Sequence, residues 1–172
     1  MRLVLIGLAL ALAAPPALAQ TQEQHDWCFS PTATDDQTID GCTALIQGGH
    51  QTPTNQASAY DNRAYAYRNK GLPDQAIADE NQALAINPND ANSYDIRGSA
   101  YDDKGLYDQA IADYNRSIAL RPDNAGAYFN RGDTYAKMGR RDAAAADYRM
   151  ALKIDPTQQK ALDGLQRLGL TP

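Results

Sequence analysis

Apolar and small residues recur along the second half of the chain in two helical stripes per 34 residues. Tyr128, Gly132 and Tyr135 stand at i, i+4 and i+7, one face of a helix. Ala144, Tyr148, Ala151 and Leu152 follow at i, i+4, i+7 and i+8, one face of a second helix. Gly139 lies between the stripes, where a left-handed C-cap ends the first helix. Asp155-Pro156 ends the second, because proline restricts its predecessor and breaks the hydrogen-bond ladder. The same punctuation recurs at Gly71 and Gly105 and at Pro88 and Pro122, and the same tyrosines at 60 and 94 and at 67 and 101. A constant period of this length predicts stacked helix pairs, each too small to bury its apolar face alone. Gly98 and Gly132 are expected to let a neighbouring helix approach, with a tyrosine one turn away filling the space beside them. Glu80 breaks the pattern, standing where Tyr114 and Tyr148 stand later. It is expected at the edge of the seam or beside a partner.

These residues resemble the tetratricopeptide repeat family: an aromatic, then Gly or Ala, an aromatic, a turn glycine, alanines with an aromatic, and a closing proline. The resemblance implies an all-α fold, a right-handed α-solenoid of stacked antiparallel helix hairpins. Three full repeats fall at 57–90, 91–124 and 125–158. Residues 159–172 supply a capping helix and tail, with Ala161, Leu162, Leu165 and Leu168 facing the last repeat. At the other end, "DDQTIDGCTALI" (35–46) lies on "PDQAIADENQAL" (73–84) at an offset of 38. Residues 20–56 therefore read as a degenerate fourth hairpin. Its helices run from about Gln22 to Phe29 and over 35–48, and a glycine- and proline-bearing loop covers 47–55.

The first 19 residues read differently. Arg2, an apolar run from Leu3 to Ala14, Pro15-Pro16 and Ala17-Leu18-Ala19 follow the plan of a secretory signal peptide, with cleavage expected between Ala19 and Gln20. An uncleaved anchor is the competing reading. Export predicts a periplasmic or secreted protein. Cleavage removes Arg2 and moves the formal charge from −5 to −6. An acidic chain with no basic cluster is a poor partner for nucleic acid or an anionic membrane surface. No later stretch is apolar enough for stable membrane insertion.

Cys28 and Cys42 are the two cysteines, and in an exported chain an even pair points to one disulfide. Two free thiols, or a redox or metal site that includes His25, are the rivals. A disulfide here would staple the N-terminal hairpin, closing a 15-residue loop worth about 3 kcal/mol in the chain-entropy model. The chain carries no nucleophile elbow, phosphate loop or paired-histidine motif. Its aspartates flank helix starts, as Asp74, Asp108 and Asp123 do, or follow the repeat. The expectation is no enzyme, no cofactor and no metal.

Charge also repeats. Arg63, Arg97 and Arg131 each follow a seam tyrosine by three, and Asp79, Asp113 and Asp147 each follow a seam alanine by three. Charges beside a seam are costly unless paired, so each Arg is expected to bond an Asp, in its own unit or the next. The alternative is that both reach out to solvent.

Function is then expected in a surface, that of a non-catalytic scaffold or adaptor. The resemblance implies that the first helices line a concave side that holds a peptide or helix of a partner. The candidates are Asp61, Asn62, Tyr65 and Arg68 in the first repeat, and Asp95, Ser99, Asp102 and Asp103 in the second. Phe129, Asn130, Asp133 and Lys137 follow in the third. The competing reading is an ordinary solvated helix face. Asn62 and Asn130 suit an extended backbone, and Phe129 with Tyr65 an apolar anchor. Some cytoplasmic relatives grip acidic tails with lysines and arginines, but Asp61 and Gly126 stand at two of those positions. The expected partner segment is neutral or basic, and self-association is the rival use of the same surface. A single disulfide predicts that the denatured, unreduced protein binds no thiol reagent and that elemental analysis finds no stoichiometric metal. Two reactive thiols would remove the staple from this reading.

Overall fold

The structure, a computed structural model, describes residues 16–171. Most of the expected signal segment, residues 1–15, lies outside the described residues. Among these residues the chain forms nine α-helices and no strand. The helices are α1 (Pro16–Phe29), α2 (Asp35–Gly48), α3 (Pro53–Asn69), α4 (Pro73–Ile86), α5 (Ala91–Asp103), α6 (Tyr107–Leu120), α7 (Ala125–Lys137), α8 (Arg141–Ile154) and α9 (Gln159–Arg167). Two boundaries differ from expectation. The loop expected over 47–55 ends at Thr52, because Pro53 suits a first helical position and the Thr52 hydroxyl accepts the Asn55 amide at 3.2 Å. Helix α1 also begins earlier than residue 22.

The three repeats share one turn. Gly71, Gly105 and Gly139 adopt φ of 70°, 73° and 73°, which favours glycine. At each, the next residue's amide bonds back to the tyrosine carbonyl that ends the first helix, as Leu72 does to Tyr67 at 2.9 Å. Side-chain caps start α2, α3, α5 and α7, at Thr34, Thr52, Asp90 and Asn124.

Each helix packs on the next in chain order. The first helices α1, α3, α5, α7 and α9 also touch one another in succession, whereas α2, α4, α6 and α8 do not. The first helices therefore form the short inner side of a curved α-solenoid, and the second helices splay on the outer side. The core between them is built largely of alanine: Ala64, Ala76, Ala100, Ala110, Ala144 and Ala151 are buried, which lets helix axes approach closely.

The tyrosines are placed differently from expectation. The space beside Gly98 is filled by Tyr114 and that beside Gly132 by Tyr148, both from the second helix of the same repeat. A Cβ at Gly98 would sit 2.9 Å from the Tyr114 ring. The first-helix tyrosines instead flank the repeating arginines. Arg63 lies between Tyr60 and Tyr67, Arg97 between Tyr94 and Tyr101, and Arg131 between Tyr128 and Tyr135, at 5.4–6.0 Å from ring centres.

Each arginine makes a two-bond fork with the aspartate of its own repeat. Arg63 meets Asp79 through Nε and Nη2 at 2.7 Å, Arg97 meets Asp113 at 2.7 and 2.8 Å, and Arg131 meets Asp147 at 2.7 Å. The third nitrogen, Nη1, donates to the preceding hairpin, at Thr43, Asn81 or Asn115. One side chain thus ties three helices. The bond to its aspartate is the main cause that raises each guanidinium's pKa.

At the N-terminal end, Cys28 and Cys42 are bonded to each other and buried with Leu45 and Ala59. Their sulfurs are therefore not offered to a metal with His25, which packs against Phe29 on an exposed part of α1. At the other end Ala161 and Leu165 are buried over Tyr148, and Gly164 is needed there, since a Cβ would lie 2.6 Å from the ring.

Glu80 does not lie at a seam edge. It is 0 % exposed, no donor meets either carboxylate oxygen, and the side chain it hydrogen-bonds is another acid, Asp61, which accepts the proton Glu80 holds. Burial, and after it the charge of Asp61, raises its pKa from 4.5 to about 11. The repeat explains why tyrosine is excluded. Ala64 stands where Gly98 and Gly132 make room for the ring, so residues 64 and 80 depart from the pattern together.

Replacing Arg97 with Met is expected to cost about 3 kcal/mol, because it strands a buried carboxylate at Asp113. Adding Asp113→Leu should recover most of it. Denaturant melts showing a loss below about half a kcal/mol for the single variant would mean that the charges are effectively solvated. Glu80 has the opposite pH signature to a salt-bridged acid. Between about 4.5 and about 11 the folded chain holds a proton that the unfolded chain has released, so stability falls as pH rises through that window. Relative to Glu80→Gln, the wild type should lose about 2–3 kcal/mol between pH 5 and pH 7. Parallel stability curves for the two proteins would refute a neutral Glu80.

Candidate functional site

The candidate residues come together on the inner face of α3, α5 and α7, and most of them already have partners one repeat away. Asn62 donates to the Cys28 carbonyl at 3.0 Å, and Asn130 donates to Asp95 at 3.2 Å. Arg68 pairs with Asp103 at 2.8 Å. Lys137 bridges Asp102 and Asp133, and Arg167 from α9 adds a bond to Asp133 at 3.2 Å. The Thr134 hydroxyl donates to Asp102 at 2.8 Å. All of these bonds but Lys137–Asp133 join residues 32–35 apart, so the residues of the face also hold successive first helices in register.

Two candidates are committed to the core. Ser99 is buried and accepts from the Tyr114 hydroxyl at 3.1 Å. Phe129 is half-buried, its ring 5.9 Å from that of Tyr148 and packed in the C-terminal cluster. The ring packs against that cluster and keeps part of its surface exposed. Tyr65, by contrast, is 55 % exposed and is the aromatic that the face presents to solvent.

Tyr65 and Asn62 separate two adjoining pockets. One, of about 340 Å³, lies between the N-terminal hairpin and the first repeat, against Cys28, Phe29 and Pro31. The other, of about 280 Å³, lies between the first and second repeats, lined by Asp61, Asp95, Asn92, Ile96 and Asn130. Pairing concentrates the acidity of the face in this second pocket. Asp102, Asp103 and Asp133 each have a cation, while no Lys or Arg among the described residues is in ion-pair contact with Asp61 or Asp95. Burial raises the pKa of both, opposed by a bond from Ser93 to Asp61 at 2.7 Å and by the Asn130 bond to Asp95.

Sequence reading missed Ser93, Asn92 and Ile96. Ser93 carried a signal, because it replaces Ala59 and Ala127 at its place in the period. Among the described residues no group of His, Cys, Asp and Glu side chains has the arrangement of a metal site. The face offers charge, amides and one exposed ring, the chemistry of recognition.

Comparison with known proteins agrees with this architecture. Family models described as tetratricopeptide repeats match residues 57–90 and 125–158, and one described as a TPR repeat matches 98–139. No curated protein matches the chain. Among solved structures, a MamA protein superposes with a TM-score of 0.71 at 22% identity, covering 88% of this chain and 79% of that one. The TPR domain of Arabidopsis OM64 gives 0.66 at 24% identity, covering 69% and 98%. The second TPR domain of human RPAP3, in complex with the HSP70 peptide SGPTIEEVD, gives 0.64 at 23% identity, with 69% and 98% covered. Three repeats with one turn, one arginine fork and one stacking order, matched along more than half the sequence, make this chain a member of the tetratricopeptide repeat family.

Proposed function

We propose that the protein is an exported, non-catalytic scaffold that holds a neutral or basic segment of a partner protein along its inner face. One observation carries this reading: the first helices form a continuous concave face with two adjoining pockets around an exposed Tyr65. Such a face suits a segment that lays side chains into successive pockets while its backbone meets amides. The leader-like pattern of the first 19 residues and the bonded cysteines support a periplasmic or secreted setting, where a disulfide persists. The RPAP3 domain holds a peptide that ends in acidic residues. Here the acidic excess at Asp61 and Asp95 favours the opposite charge.

An array of immobilised peptides of varied charge, probed with the purified protein, tests this. Neutral and basic peptides should bind, binding should weaken with salt, and SGPTIEEVD should bind least. Preferential capture of acidic tails would overturn the charge assignment. Light scattering over a range of concentrations should give one mass; growth of the particle with concentration would favour self-association through the same face.

A further inference from the structure

The junction between the first and second repeats differs from the last repeat at four places in register. Asp61 corresponds to Asp95 and Phe129; Ser93 corresponds to Ala59 and Ala127. Ala64 corresponds to Gly98 and Gly132; Glu80 corresponds to Tyr114 and Tyr148. Three of these changes put polar groups where the last repeat is apolar. Asp61 has the Ser93 hydroxyl and, from Glu80, a protonated carboxyl; Asp95 has the Asn130 amide; neither aspartate has an ion-pair partner among the described residues. Asp61 is the neighbouring charge that acts most on Glu80, so the buried carboxyl stands behind the Asp61 wall of the pocket. Arg68, at the pocket's rim, is committed to Asp103.

Carboxylates withdrawn from water without a cation cost stability, and the cost is relieved when a cation enters. Elsewhere on this face the chain supplies its own cations, at Lys137, Arg68 and Arg167. At this junction it supplies none in ion-pair contact: Arg68, a lining residue paired with Asp103, and Arg121 act on Asp95 only from a distance. The amide nitrogens of Asn62 and Asn130 are already donating, which leaves their oxygens as further acceptors around the same space. Asp61, Asp95 and the Asn62 and Asn130 amides thus share the lining of a pocket of about 280 Å³ with Tyr65 and the already paired Arg68.

We propose that the pocket between the first two repeats receives the side-chain ammonium of a lysine in the partner segment. An ammonium has three donors and no acceptor, which matches walls made of Asp61, Asp95 and amide oxygens. The exposed Tyr65 ring covers the alkyl stem. This assignment rests on the peptide-holding reading of the face and deepens it: the neutral-or-basic preference becomes a preference for one lysine at one place.

The test uses two probes, the peptide acetyl-Gly-Ala-Lys-Ala-Gly-amide and its twin with the lysine Nε-acetylated, titrated into the protein by NMR. The lysine peptide should bind at least about tenfold more tightly than its twin. It should also shift the Asn130 side-chain amide. Asp61→Asn and Asp95→Asn keep shape and remove charge, and each should reduce the advantage to about threefold or less. Asp142→Asn, on the exposed start of α8, should leave it unchanged. A lysine advantage that survives both pocket variants, or equal binding of the twins, overturns the proposal. If the twins bind equally while longer peptides still occupy the face, the scaffold reading stands and the lysine pocket falls. If the twins separate but no longer segment binds, the reverse holds.

Discussion

The arginine fork holds this structure in register. Alanine-lined helix contacts are close but unspecific, since one small side chain resembles the next and a stack can slide. A guanidinium bonded twice to its own repeat and once to the preceding one has a single satisfactory position. Flanking tyrosines fix the plane of the group, and burial of Asp79, Asp113 and Asp147 makes any other position costly. The same device occurs at every repeat, and at the first it reaches Thr43 of the disulfide-bonded hairpin. The degenerate N-terminal unit is thereby joined to the array by the same chemistry as the regular ones.

A second layer of directional bonds lies on the inner face. Asn62, Arg68, Asn130, Thr134 and Lys137 each reach a first helix one repeat away. The residues that line the groove also set the spacing of its walls. This internal pairing stops at the exposed Tyr65 and at Asp61 and Asp95, which have no ion-pair partner among the described residues. Side chains tied in this way preform the face, so a segment of the proposed kind would lose little to its reorganisation.

The first junction is packed differently from the last repeat. Glu80 and Ala64 replace the ring-and-glycine pair that packs the later repeats, and Ser93 and Asp61 bring polar atoms beside them. Glu80 meets no donor in the folded chain and faces a second acid, Asp61, and burying acids without a cation is costly. Unsatisfied groups of this kind concentrate where a protein does something other than fold.

The period, the turn glycines, the terminating prolines and the capping helix were legible in the sequence because each has a local cause. A left-handed turn needs glycine, a helix stops before proline, and a stack needs an amphipathic end. The Arg–Asp spacing was legible as a repeat, but the third bond to the preceding hairpin was not, since Thr43 lies 20 residues away and Asn81 and Asn115 lie 16 away from their arginines. The groove residues could be named from their place on the helix, but not sorted. Only the stacked structure decided that Phe129 packs partly against the C-terminal cluster, that Lys137 and Arg68 are taken by aspartates, and that Asp61 and Asp95 are left without an ion-pair contact. Local conformation follows from neighbours in the chain, whereas burial and pairing depend on which helices pack together, and that is a property of the whole stack.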